Sequence, residues 1–379
     1  MQDLASYRSS LILHLLPDIG RSRFNKLVAH FGSADAALDA PASALEDVDG
    51  IGPMAVQSIL NWRELADVET EMQLIEERDV LLTRPEDDDY PANLRRMATP
   101  PPLLYYRGSL SPMDEAAVAV IGARKMSRYG SEAARLITTD LARAGVTIVS
   151  GLALGVDSAA HRFALDAEGR TIAVLGNGLS HVYPAQHKQL AEEIVANGAI
   201  ISEMPMAATP DAGSFPQRNA IIAGLSLGVL VVEAGAKSGT SITIGCALDE
   251  NRAAYAVPGD ITRANSVGTN QMIKDGAKLV TCGRDVLLDL RHELRHLLSQ
   301  LPDLAEPSPD EPPPLPQELN ETERAVYEAL ELDPLHVDAL SEALAGTAIA
   351  PGDLMAALLH LEIRGLVRQE PGKKFRRIR

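Results

Sequence analysis

The chain has 379 residues, 46% of them hydrophobic and only 4% aromatic, so it can build an aliphatic core of the kind that suits a buried parallel sheet, in about two to four domains. Its formal net charge of −17 excludes a general nucleic-acid coat, because phosphate binding rests on Lys and Arg, and any anion site must be local and name its cations. Two cysteines, Cys246 and Cys282, exclude a disulfide scaffold and supply no metal-ligand spacing; no leader-like N-terminus and no bilayer-length apolar stretch are present, so a cytoplasmic protein with no membrane partner is expected.

Residues 1–80 read as an all-helical module of helix-hairpin-helix or SAM-like kind. Leu11-Ile12-Leu13 opens an apolar face, Pro17-Asp18-Ile19-Gly20 breaks it, and Phe24, Leu27 and Val28 resume at helical spacing. Gly50-Ile51-Gly52-Pro53 resembles a helix-hairpin-helix turn, whose glycines let backbone N–H groups face a phosphate. Arg21 and Arg23 favour that reading, Asp47 and Asp49 oppose it, and a plain glycine-rich connection fits equally well. Next, Asp87-Asp88-Asp89-Tyr90-Pro91 and Pro100-Pro101-Pro102 mark a connector. Residues 103–108 then read as an edge strand packed on the following domain.

Residues 81–295 form the central domain. Strand-like runs at 117–121, 147–149, 171–175, 199–201, 229–232, 254–257 and 278–280 alternate with helical stretches such as 131–144, 158–167, 185–196 and 243–250. Alternation of this kind builds right-handed βαβ units, so an α/β fold with an extended Rossmann-like parallel sheet is predicted. Residues 296–318 are a proline-rich acidic linker, a semi-rigid spacer. Residues 319–379 read as three helices and a hairpin turned at Pro371-Gly372, the layout of a winged helix-turn-helix. Its basic end (Lys373, Lys374, Arg376, Arg377, Arg379) suits nucleic acid or an acidic protein partner.

In an open parallel sheet, ligands bind beyond the carboxyl ends of the strands. Five successive loops there carry glycine, small hydroxyls or a cation: Gly122-Ala123-Arg124, Ser150-Gly151 through Gly155, Gly176-Asn177-Gly178, the segment with Phe215, Arg218 and Asn219, and Lys237-Ser238-Gly239-Thr240. Such residues admit phosphate oxygens close to the backbone. Arg124, Arg218 and Lys237 are the cations, and Phe215, in a loop beside Arg218, offers a ring on which a base can stack. The G-x-G-x-x-G dinucleotide fingerprint and a complete P-loop are both missing. Asp157 with His161 reads as a helix cap with a structural histidine. Glu203 and Glu233 end neighbouring strands and suit either acid–base work or loop orientation, and no convincing catalytic constellation stands out.

These residues resemble a known family. Val120-Ile121-Gly122-Ala123-Arg124, Ser150-Gly151-Leu152-Ala153-Leu154-Gly155-Val156-Asp157 with Ala160-His161, Phe215-Pro216-Gln217-Arg218-Asn219, Ser238-Gly239-Thr240-Ser241-Ile242-Thr243 and Val257-Pro258-Gly259 look like the DNA-processing protein A (DprA, or Smf) family over residues 90–285. The resemblance implies a non-enzymatic homodimer that binds single-stranded DNA and loads the RecA recombinase in natural transformation, with no cofactor. It implies that Arg124 is the main phosphate contact, that Phe215, Arg218 and Asn219 line the base side, and that Lys188 adds a basic group. Ala220 departs from the family, which commonly has a second arginine there. The competing reading is a nucleoside-phosphate hydrolase on a related fold, but the glutamate that would follow Gly239-Thr240 in such enzymes is missing.

Overall fold

The structure, a computed structural model, describes residues 2–211, 213–236, 238–298, 319–330, 334–344, 347, 349–364, 366–370 and 372–377. The chain divides into two compact units, residues 1–304 and 305–379. In the first unit a nine-stranded sheet holds β1 (Leu81–Thr83), β2 (Leu104–Gly108), β3 (Ala117–Ile121), β4 (Thr147–Ser150), β5 (Thr171–Leu175), β6 (Gly198–Ser202), β7 (Gly228–Val231), β8 (Ala253–Ala256) and β9 (Lys278–Leu279). Their order is β1-β2-β6-β5-β4-β3-β7-β8-β9. All neighbours from β6 to β9 pair in parallel, whereas β1 with β2 and β2 with β6 are antiparallel.

The order fixes where a ligand goes. From β3 the chain builds outward through β4, β5 and β6, then returns to place β7 on the other side of β3. The loops after β3 and β7 therefore part at a switch point, which opens a crevice at the carboxyl ends of the strands.

The strands read as apolar runs because both faces are covered. Val118, Val120, Ile148, Leu230 and Val232 point to one face, against Ile137 and Leu141 of a helix at Arg128–Arg143 and Val156 and Ala160 of a helix at Val156–Asp166. Ala119, Ile121, Ile172, Val174, Val229 and Val231 point to the other, against Ile221, Ile222 and Leu225 of a helix at Ser214–Leu225.

The helical N-terminal segment shares a core with the sheet. Leu11, Leu13, Leu27, Ile59 and Ile75 cluster with Leu82, Tyr105, Leu175, Ile200 and Met206. Polar contacts pin the same junction. Arg21 donates from Nε to Glu203 Oε1 (2.8 Å) and pairs through Nη2 with Oε2; His14 Nε2 meets the Glu203 carbonyl at 2.8 Å, and the Met206 amide donates to Glu71 at 2.7 Å.

Two expectations change here. The 103–108 strand is not at an edge: β2 is bonded on both sides, and the edge is β1, three residues too short to give a period-2 signal. Glu203 and Glu233 do not follow neighbouring strands either, since β5, β4 and β3 lie between β6 and β7.

The second unit has helices at Glu321–Ala329, Val337–Ala343 and Pro351–Ile363 and a three-stranded sheet of Leu335–His336, Lys374–Arg377 and Val367–Glu370. A capping box, Asn320 with Glu323, starts its first helix. Val326, Leu340, Leu358, Leu361 and Phe375 form its core. Helices around a small hairpin sheet of this kind make a winged helix. Residues 299–318, most of the linker, lie outside the described residues.

Candidate functional site

The strand-end loops do meet. A concavity of about 450 Å³ is lined by Arg124, Gly151, Asn177, Tyr183, Phe215 and Arg218, among others. A second, of about 930 Å³, is lined by Gly122, Ala123, Asn219, Ser238, Gly239 and Thr240 and shares Arg124, Ala153, Phe215 and Arg218 with the first. The shared residues make the two a continuous groove at the switch point.

Phe215 is the ridge of that groove. The Arg124 guanidinium carbon stands 5.6 Å from the ring centroid and that of Arg218 stands 5.9 Å away, both within cation–π range. Arg124 is exposed, Phe215 is half-buried and Arg218 is only 8% exposed. The predicted loop is instead the start of the Ser214–Leu225 helix. Pro216 falls in its first turn, where an amide has no intrahelical partner, so proline does not break the helix. Helical spacing is what turns Phe215 and Arg218 to the same side. Ala220 packs against the sheet's core, so the position where the family commonly has arginine faces inward in this chain.

Arg218 is held from three sides. A Cβ on Gly151 would lie 1.8 Å from its Nη1, so only glycine lets the guanidinium lie there. Asp157 Oδ2 is 3.8 Å from Nη1. The Arg218 Nε is buried without a partner. Asp157 is not a cap of its own helix: it takes the Gly151 amide at 3.2 Å, and the amides of Gly122 and Ala153 also stabilise its carboxylate. Burial raises the Asp157 carboxyl, and Arg218 followed by those amides opposes that. Burial likewise lowers the Arg218 guanidinium, with Asp157 opposing and Arg124 reinforcing.

His161 lies fully buried beneath. The Thr171 hydroxyl donates to the Ile148 carbonyl at 2.7 Å and so accepts from His161 Nδ1–H, also at 2.7 Å. That assigns the tautomer and leaves Nε2 as an unpartnered acceptor. Burial, helped by His187 and Arg218, lowers its pKa to about 3, so the ring is neutral.

Other expected residues separate. Ser150 is fully buried, its hydroxyl spent on the Val120 carbonyl at 2.7 Å, because an inward-facing strand residue must satisfy itself inside the sheet. Lys188 lines neither concavity of the groove; it borders a different one with Arg78, Arg107 and His181. Gly155, at φ +83°, gives the left-handed turn that lets the Ala123 and Arg124 carbonyls approach. Lys237 lies outside the described residues.

The two glutamates orient loops. Glu233 accepts from the Ser127 amide at 2.9 Å, from the Ser127 hydroxyl and from Asn265, which fixes the end of the Arg124 loop. Glu203 is bound to Arg21, and that pairing takes up the basic group read as part of a helix-hairpin-helix phosphate site. Arg23 is likewise spent on the Asp18 and Gly50 carbonyls. Sequence reasoning missed Tyr183, half-exposed in the groove wall; the signal was an aromatic–proline pair in a strand-end loop of an aromatic-poor chain.

The fold and groove define a Rossmann-like protein with a cation- and ring-lined cleft at its switch point and a winged helix appended. More narrowly, the chain belongs to the DNA recombination-mediator protein A family, whose profile matches residues 81–291, and the DprA winged helix domain matches residues 310–373. Protein Smf of Synechocystis sp. is 36% identical over 383 residues, covering 95% of this chain and 96% of that one. The crystal structure of DNA processing protein A from Streptococcus pneumoniae superposes with a TM-score of 0.66 at 32% identity, covering 76% of this chain and 98% of that one. DNA processing protein A from Helicobacter pylori, solved to describe its single-stranded DNA binding mode, gives 0.51 at 29% identity, covering 56% and 96%.

Proposed function

We propose that the switch-point groove binds single-stranded DNA, and that the protein, as a homodimer without a cofactor, hands that strand to a RecA recombinase during natural transformation. The observation that carries the DNA part is the Phe215 ring flanked by two guanidinium groups in an open groove. A ring beside cations holds a strand by stacking and charge with little sequence preference. The relative from Helicobacter pylori, described for its single-stranded DNA binding, supports the choice of ligand. The family's description as recombination mediators supports the recombinase step.

Fluorescence anisotropy with labelled oligo-dT tests the first part. Arg124→Ala is expected to weaken binding at least about tenfold, or about 1.4 kcal/mol. It should also flatten the slope of log affinity against log salt by about 0.7, the share of one phosphate contact on a single strand. Unchanged affinity in a folded Arg124→Ala protein overturns the assignment. For the second part, the measurement is recombinase filament formation on oligo-dT already coated with single-strand-binding protein; no acceleration by this protein refutes it.

A further inference from the structure

The two arginines of the groove are not equivalent. Arg124 is exposed, while Arg218 is almost wholly buried beside an equally buried carboxylate. We infer that Asp157 is a positioning residue of the groove: held by loop amides, its carboxylate cancels the charge of Arg218 and fixes that guanidinium as a hydrogen-bond donor to the base side, leaving Arg124 to meet phosphate. The inference rests on the single-stranded DNA reading and divides its labour.

Three observations carry it. First, Asp157 is anchored independently of Arg218. It accepts from Gly151, and it is stabilised by the amides of Gly122 and Ala153, so the loops after β3 and β4 converge on one carboxylate. Second, Arg218 is packed into the wall and largely withdrawn from solvent. Its guanidinium lies over Gly151, where even a methyl group would collide. Third, the pair is poorly solvated, with side-chain exposures of 9% and 7%. Screening by water is weak there, so the two charges offset each other within the wall and present little net field to a strand.

The surroundings match the division. The concavity on the Arg218 side is walled by Leu154, Leu175, Tyr183, Pro184 and Phe215, which suits the flat apolar face of a base. The other offers Gly122, Gly239, Ser238 and Thr240, small groups that admit a sugar-phosphate chain. A guanidinium only donates. Whatever it meets on the base side must present a carbonyl or ring-nitrogen acceptor.

Salt titrations of oligo-dT binding separate this from a plain two-arginine phosphate clamp. Arg124→Ala should flatten the salt slope by about 0.7. Arg218→Gln combined with Asp157→Asn removes both charges at once, so it should weaken binding and leave the slope at the wild-type value. Asp157→Asn keeps the shape and an amide acceptor but frees the Arg218 charge, so its slope should steepen by about 0.7. A merely structural role for Asp157 cannot steepen a salt slope. Should Asp157→Asn alone fail to fold, the double variant, which leaves neither charge of the pair buried, still decides: a slope flattened as much as in Arg124→Ala overturns the inference, as does a folded Asp157→Asn protein with the wild-type slope. If the wild-type protein binds no oligo-dT at all, the proposed function itself fails. A wild-type protein that binds while the double variant flattens the slope sinks only the inference.

Discussion

Gly151→Ala adds one methyl group to the groove. The new Cβ would stand 1.8 Å from Arg218 Nη1, 2.3 Å from Cζ and 2.6 Å from Nη2. Ordinary carbon contacts are about 3.5–4 Å, so the guanidinium must retreat by roughly 1.5 Å. Arg218 is packed under Phe215 and cannot retreat without leaving Asp157. A charged partner lost from a buried site costs about 1.5–3 kcal/mol. The amides that still hold Asp157 keep the figure near the middle, about 2 kcal/mol. At about 2–4 °C per kcal/mol, and toward the lower end for a unit this large, the melting midpoint should fall by about 4 °C. Urea titration by circular dichroism is the assay, with a shifted midpoint and an unchanged m-value. Gly239→Ala is the control. Nothing lies within 4 Å of its Cβ position and its φ of −62° suits alanine, so its stability should stay within about 0.5 kcal/mol of wild type. A Gly151→Ala protein as stable as the control, with wild-type oligo-dT affinity, would refute the placement of Arg218 over Gly151.

Arg21→Met strands the Glu203 carboxylate and should destabilise by about 3 kcal/mol, whereas Arg21→Met with Glu203→Met should recover much of the loss; equal costs for single and double variants in urea would show that the pair is not a unit. His161 is held neutral, with a native pKa of about 3 against 6.5 in the unfolded chain. A depressed folded pKa contributes stability that is full above 6.5 and drains as pH falls toward 3. His161→Gln should flatten that acid limb of the stability curve, and a ring that titrates near 6.5 by NMR in the folded protein contradicts the buried site.

The legible part of the fold was the part with periodicity. Runs such as 117–121 and 171–175 are apolar because both sheet faces are covered, and their alternation with helices gives the parallel order directly. What escaped depends on distance in the chain. The pairing of β2 with β6 joins residues almost a hundred positions apart, and nothing local in Leu81-Leu82-Thr83 announces a third antiparallel partner. In the site, Arg124 and Phe215, picked by residue type, do line the groove. Residue type misled at Ser150, where a small hydroxyl at a strand end faces inward, and at Asp157, whose partners come from three separate segments. The segment with Phe215, Arg218 and Asn219 reads as a strand-end loop, yet it starts a helix whose first turn accommodates Pro216.

The acidic total charge and the proposed anion-binding groove are compatible because the carboxylates at the strand ends are spent locally. Glu233 takes Ser127 and Asn265, Glu203 takes Arg21, and Asp157 takes Arg218 with its loop amides. Glu203 and Glu233 are engaged by donors outside the groove lining, and Asp157 takes up one groove cation, Arg218. On the positive side stand exposed Arg124 and the N-terminus of the twelve-residue helix that begins at Ser214, whose orphan amides carry partial positive charge. Field lines in a cleft are set by the nearest charges, while distant acids in water are screened beyond about 10 Å at moderate salt. The local sign can therefore oppose that of the whole chain. On the proposed division of labour, affinity should depend heavily on one residue: with Arg218 neutralised, Arg124 is the exposed arginine that lines the groove among the described residues.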